Sequence, residues 1–283
     1  MKVLLITPWN NSWIPLYSKV FEERGHALLV DKAPRLKADC YLHMWAGMTE
    51  PVEGAVNLMF MRRYEFFDFD WKRYDWSKID RLIFCNSFFK NQVDAFFASS
   101  NGPTCPTELV YNAVDFDKWT FKERKPGYKI GMACHVHPKK NLPLAAQILM
   151  ELGPDYELHI AGEIQDPCTA LYLKSLGLKI RCYGHVKDMD QWWEDKNYCL
   201  STSISEGNPN NVLESMAKGI RPVIHKWPGS KDQFNGRWLF RTVGEAVSQI
   251  KDNRYHSDIY FNHAEMMFGL NNYRVVVSMA EEI

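Results

Sequence analysis

Short apolar runs alternate with amphipathic stretches along almost the whole chain, and this alternation restricts the fold more than any other feature of the sequence. KVLLIT (2–7), HALLVD (26–31), ADCYLH (38–43), AVNLMF (55–60), RLIFC (81–85) and ELVY (108–111) read as strands, with helical patterns at 15–24 and 87–98 between some of them. Runs this apolar suit a parallel sheet covered by helices on both faces. The polar stretch FKERKPGYK (121–129) interrupts the pattern and marks a linker. Beyond it come KIGMAC (129–134), YELHIAG (156–162), KIRCYG (179–184), YCLSTS (198–203) and RPVIH (221–225), separated by helical patterns at 141–152, 167–176, 210–218 and 243–251. The expected organisation is α/β: a Rossmann-like, doubly wound domain over 1–120, a second over 121–255, and a helical segment over 256–283 that could return to the first. Two such sheets in tandem would face one another across a cleft at the carboxyl ends of their strands, so motifs that follow strands are the ones to read for chemistry.

Composition narrows the partners. A chain of 283 residues has room for two cores, and 34 basic against 34 acidic residues leave no basic field to hold a nucleic-acid backbone. No apolar run approaches the ~18 residues of a membrane span, and the start MKVLLITPWNN is too short for a signal peptide. The seven cysteines are odd in number and form no C-x-x-C pair, which fits reduced core thiols. A cytoplasmic protein is expected, with peripheral membrane contact left open.

One segment after a strand carries most of the chemical information: SISEGNPNNVLESMAKGIRPVI, residues 203–224. Asn208 suits an N-cap and Pro209 the first helical position, with Gly219 as the stop. The free N–H groups near Asn210, with Gly207 beside them, would then offer a site for phosphate or diphosphate. Glu206 lies in the loop before the helix, and Glu214 a turn and a half inside it, within reach of a ribose. On spacing alone, a solvated loop carboxylate and an ordinary helix-surface charge fit equally well.

The same segment resembles the E-x7-E signature of retaining glycosyltransferases of the GT-B fold, in particular glycosyltransferase family 4. Glu206 and Glu214 have that spacing, a glycine follows the first Glu, and ESMAKG and PVI continue the pattern. RGHALLV, VYNAVDFDKW, HPKKNLPLAAQIL, LHIAGE and YGHV resemble further family segments in the family's order. The resemblance covers most of 107–225 and the N-terminal half in outline. It implies that Glu214 binds the ribose of a nucleotide-sugar donor, Glu206 the transferred sugar, and Lys140 the diphosphate, with the loop around Val186 facing the base. Two departures stand out. His135 occupies the position of the family's phosphate-binding Arg, where a histidine would be a weaker, pH-dependent clamp. TPWNNSW replaces the glycine-rich first loop, with Asn10 and Asn11 as substitute amide donors.

Other candidates come from strand ends. His43 follows ADCYLH, and in the family a histidine of that region contacts the donor sugar; a histidine bonded to backbone at a strand end fits as well. Arg62 and Arg63 follow AVNLMF and could hold an anionic acceptor or be surface charges. His135 and His137 form an H-x-H pair without a third ligand nearby, so metal is not expected. In YEFFDFDWKRYDW (64–76), Phe67, Phe69 and Trp71 alternate with Asp68, Asp70 and Lys72 and would share one side of an extended stretch, packed in the core or serving as an acceptor platform or membrane edge. The implied activity is metal-independent, cofactor-free, retaining transfer of a sugar from a nucleotide diphosphate to a hydroxyl of a glycan, lipid or small molecule. The alternatives are a GT-B epimerase or hydrolase and a non-catalytic nucleotide-sugar binder.

Overall fold

The computed structural model describes residues 1–9 and 11–283; Asn10 lies outside the described residues. The chain divides into unit 1, Met1–Ala113 with Phe268–Ile283, and unit 2, Val114–Met267. The division falls a few residues before the expected linker, which belongs wholly to unit 2.

Unit 1 holds strands β1 (Lys2–Ile6), β2 (Ala27–Asp31), β3 (Cys40–His43), β4 (Val56–Met61), β5 (Arg81–Phe84) and β6 (Thr107–Leu109), parallel throughout in the order β2-β1-β3-β4-β5-β6. Helices α1 (Ile14–Glu22), α2 (Glu65–Asp68) and α3 (Ser87–Ser99) connect them. Side chains alternate across a strand, so β1 sends Val3 and Leu5 into one buried cluster and Leu4 and Ile6 into another. Both faces are covered, as continuous apolar runs require.

The segment 64–76 does not form the expected extended stretch, because Glu65–Asp68 closes a helical turn around a buried Glu65 carboxylate that accepts the Ala46 and Arg62 backbone N–H groups. The turn throws Phe67 outward, 62% exposed, while Trp71 and Trp76 enter the core. Phe69 instead covers the backbone at Gly47, where any Cβ would lie 2.5 Å from its ring.

Unit 2 repeats the plan with β7 (Lys129–Ala133), β8 (Glu157–Ala161), β9 (Ile180–Cys182), β10 (Tyr198–Ser201), β11 (Arg221–His225) and β12 (Leu239–Phe240), again all parallel, in the order β12-β11-β10-β7-β8-β9. Its helices are α4 (Leu142–Leu152), α5 (Pro167–Ser175), α6 (Met189–Trp193), α7 (Asn210–Ala217), α8 (Ser230–Gln233), α9 (Val243–Lys251) and α10 (Ser257–Phe268). Leu142, Ala145, Ala146, Ile148, Leu149 and Leu152 recur at helical spacing and bury one face of α4 against the sheet. Truncating one of its leucines to alanine would cost about 2–5 kcal/mol. Thr242 and Glu245 close a reciprocal capping box that starts α9.

The last helix, α11 (Asn271–Glu281), belongs to unit 1. Tyr273 stacks on Tyr17 of α1 at 4.0 Å, and Glu281 holds His26 at 2.7 Å and Arg24 at 3.0 Å. All seven cysteines are free; Cys40, Cys85, Cys105 and Cys199 are core residues as expected, but Cys168 and Cys182 are exposed. No described helix is long and apolar enough to cross a membrane.

Candidate active site

The E-x7-E segment bridges β10 and β11 of unit 2. Helix α7 starts at Asn210, one residue later than expected, with Pro209 in the cap position. The Asn208 side-chain amide donates to Gln233 Oε1 at 2.7 Å, while Gln233 Nε2 donates to the Gly207 carbonyl at 2.8 Å. This exchange with the buried Gln233 holds Gly207 and Asn208 at the helix entrance. At the other end Gly219 adopts φ +73°, and a Cβ there would lie 2.6 Å from the Lys122 carbonyl.

Glu206 sits in the loop before α7 and is 8% exposed. Its carboxylate meets Lys140 Nζ at 2.5 Å and Lys139 Nζ at 3.5 Å. Burial alone would raise the carboxyl, but Lys140 and Lys139 outweigh it and hold the group below the usual glutamate value. The lysines come from a 3-10 turn, Pro138–Lys140, capped by His137, whose Nδ1 accepts the Lys139 N–H at 3.2 Å. Lys139 O accepts from Ile204 N at 3.1 Å and Lys140 O from the Thr202 hydroxyl at 2.6 Å, so the turn is pinned to the loop that carries Glu206.

Glu214, on α7, differs from Glu206. It is half-buried, makes no hydrogen bond among the described residues, and burial pushes its carboxyl up to about 7, with only a weaker opposing pull from Lys118. An acceptor group withdrawn from water and left without a protein donor is suited to a ligand that brings hydroxyls.

His135 follows β7 and uses its Nδ1 to accept the Glu163 N–H at 3.1 Å. While that bond stands the ring is neutral and offers only Nε2 as a donor. Val186 lies half-buried in the loop between β9 and α6. Among the described residues, no group of three or more His, Cys, Asp or Glu is arranged to hold a metal ion.

In unit 1, His43 is fully buried, with Nδ1 2.8 Å from Thr49 Oγ1 and Nε2 3.1 Å from Asn57 Oδ1. Burial lowers its pKa, against an opposing pull from Asn57. Both ring nitrogens thus meet side chains of unit 1, not the backbone that one of the two readings from sequence expected. Arg62 is also buried, at 7% exposure, with its guanidinium over Phe60, Trp13 and Trp45 and hydrogen bonds to Met44 O and Asn112 Oδ1. It is a buried cation and not a surface charge, and its Nη2 has no hydrogen-bond partner among the described residues. Arg63 is half-exposed and lies over the Phe67 ring at 5.2 Å. The Asn11 amide is engaged within its own loop, donating to Thr7 Oγ1 and Trp9 O.

Sequence reading missed Lys139. Its only signal was the doublet in HPKKN, which does not say where the second ammonium points.

Two six-stranded parallel units with flanking helices, the second carrying a carboxylate-bracketed helix entrance, have the fold of solved GT-B glycosyltransferases. Residues 127–252 of the chain match the family model described as glycosyl transferases group 1. Its backbone is similar to a glycosyltransferase from Rickettsia africae ESF-5 at TM-score 0.76 and 12% identity, covering 99% of this chain and 98% of that one. Anabaena Alr3699/HepE, crystallised with UDP and glucose, matches at TM-score 0.75 and 10% identity over 99% of both chains. AviGT4, a glycosyltransferase involved in avilamycin A biosynthesis, matches at 0.70 and 13% identity over 100% of this chain and 97% of that one. No curated protein sequence matches it significantly.

Proposed function

We propose that the chain transfers a sugar, with retention of anomeric configuration, from a nucleotide diphosphate sugar to a hydroxyl of a glycan, lipid or small-molecule acceptor. The observation that carries this reading is the unpartnered Glu214 carboxylate on α7, in the same helix-entrance segment as Glu206, Lys139 and Lys140. Glu214 accepts the ribose hydroxyls, the helix entrance at Gly207 and Asn210 with Lys140 takes the diphosphate, and the loop at Val186 borders the base. A uridine diphosphate sugar is the first donor to test, because the similar Anabaena protein was crystallised with UDP and glucose.

The acceptor oxygen forms a bond to the anomeric carbon as the bond from that carbon to the β-phosphate oxygen breaks. The electron pair leaves with the nucleoside diphosphate, and the acceptor proton passes to the departing phosphate oxygen. Charge grows on the diphosphate in the transition state, where fixed N–H groups and an ammonium stabilise it most. Double displacement needs a carboxylate nucleophile at the anomeric carbon, and Glu206 is assigned instead to the hydroxyls of the transferred sugar. Attack from the leaving-group face is therefore the favoured route, and the protein cations supply the charge that a divalent metal would otherwise bring. No role is given to His43 or Arg62, which are buried in unit 1.

The test is mass spectrometry of products from UDP-, GDP- and ADP-sugars offered with hydroxyl acceptors. Transfer with retained configuration is expected. Free or epimerised sugar would move the chain to the hydrolases or epimerases, and unchanged donor with measurable binding would make it a binding protein.

A further inference from the structure

We infer that Lys139 is the second cation of the diphosphate site, and that Glu206 is an internal counter-ion that the incoming diphosphate displaces from both lysines. This rests on the proposed function and assigns a residue that neither the motif spacing nor the resemblance singles out.

The geometry is unusual for neighbouring residues. In a 3-10 turn, successive side chains point about 120° apart, so two consecutive lysines diverge by default. Here Lys139 and Lys140 converge on one carboxylate, at 3.5 Å and 2.5 Å, with side chains only 23% and 19% exposed. The convergence is built rather than incidental: His137 caps the turn, Ile204 N–H holds the Lys139 carbonyl and the Thr202 hydroxyl holds the Lys140 carbonyl.

The charges of this cluster favour exchange. Lys139, Lys140 and Glu206 together carry one net positive charge, and they lie in the loops that lead to the α7 entrance, whose helix dipole adds positive potential. The two ammonium groups share one carboxylate here, whereas a diphosphate offers each its own anionic oxygens. The freed Glu206 carboxylate can then accept hydroxyls of the transferred sugar, so counter-ion release and sugar recognition are one event. His135 does not compete for the part, because its Nδ1 is committed to the Glu163 N–H and the ring is uncharged while that bond lasts.

The experiment is titration calorimetry of UDP, GDP and ADP, each beside its monophosphate, with wild type, Lys139→Gln, Lys139→Arg and His135→Gln. Lys139→Gln should weaken the preferred diphosphate about 10- to 100-fold while changing the monophosphate by less than about threefold. Lys139→Arg should recover affinity to within about threefold of wild type, and His135→Gln should leave it there. Equal loss for diphosphate and monophosphate would show a structural role and overturn the assignment, as would a diphosphate-selective loss in His135→Gln with none in Lys139→Gln. Wild type that binds no nucleotide would remove the proposed function and this inference together; wild type that binds, with an unaffected Lys139→Gln, would remove this inference alone.

Discussion

Glu206 and Glu214 lie on one short segment yet occupy opposite electrostatic states: two lysines hold the first below its ordinary pKa, while burial without a partner pushes the second up to about 7. Carboxylates whose surroundings drive them apart in this way commonly divide roles at a site. Here the first is the anion of a cation cluster and the second an acceptor in waiting.

Glu214→Gln should weaken donor binding by about 1.5–3 kcal/mol, the loss of hydrogen bonds to a charged acceptor. The same change should stabilise the ligand-free protein. The folded pKa of Glu214 is raised from 4.5 to about 7, so the folded state binds more protons than the unfolded one between those values and wild-type stability falls as pH rises through that window. At pH 8 the glutamine variant should gain about 1–3 kcal/mol in denaturant melts, and the gain should vanish near pH 4. A variant that is both less stable at pH 8 and unchanged in donor affinity would contradict the assignment.

Donor affinity should rise with pH through about 7, because the ionised Glu214 carboxylate is the form that accepts ribose hydroxyls. A nucleotide sugar is the proper probe, since its diphosphate diester does not titrate there. Calorimetry from pH 5.5 to 8.5 should give parallel profiles for wild type and His135→Gln and a flatter one for Glu214→Gln. A profile that instead weakens with rising pH, and loses that slope in His135→Arg, would return the phosphate role to a protonated His135.

Transfer should survive EDTA, because Lys139, Lys140 and the α7 entrance supply positive charge from the protein itself. Activity abolished by chelator and restored by manganese or magnesium would sink this expectation.

Lys218 and Asp190 should respond asymmetrically to substitution. Lys218 is fully buried and bonds Asp190, with Glu194 at 3.5 Å, whereas the two carboxylates are 34% and 33% exposed. Lys218→Met leaves carboxylates that water and Thr120, Lys122 and Arg124 still serve, and should cost less than about 1 kcal/mol. Asp190→Ala leaves an ammonium buried beside a single, longer contact and should cost about 3 kcal/mol or more. Urea melts of the two variants decide it; equal costs would show that burial of the ammonium is not the controlling term.

Much of the fold was legible because its signals are local. Eleven strand runs could be read from apolar periodicity, and α7 begins at Asn210 and stops before Gly219, as a proline entrance and a glycine exit imply. What escaped is short or set by distant partners. The two-residue β12 has no periodicity to detect, and α2 closes because Glu65 finds, besides the neighbouring Arg62 amide, the Ala46 amide, which no short window around residue 65 contains. The spacing of Glu206 and Glu214 was likewise visible, but not their difference.

Sequence by itself determined the two parallel α/β sheets and the carboxylates that bracket a helix entrance, because hydrophobic period, capping chemistry and spacing are properties of neighbouring residues. Tertiary structure alone decided what each charged side chain meets. It placed Lys139 beside Lys140 on Glu206, left Glu214 without a partner, tied His135 to a backbone amide, and enclosed His43 and Arg62 within unit 1. The physical reason is that ionisation and binding depend on burial and on partners far along the chain. Glu206 meets its lysines across more than sixty intervening residues, a separation over which no local pattern carries information.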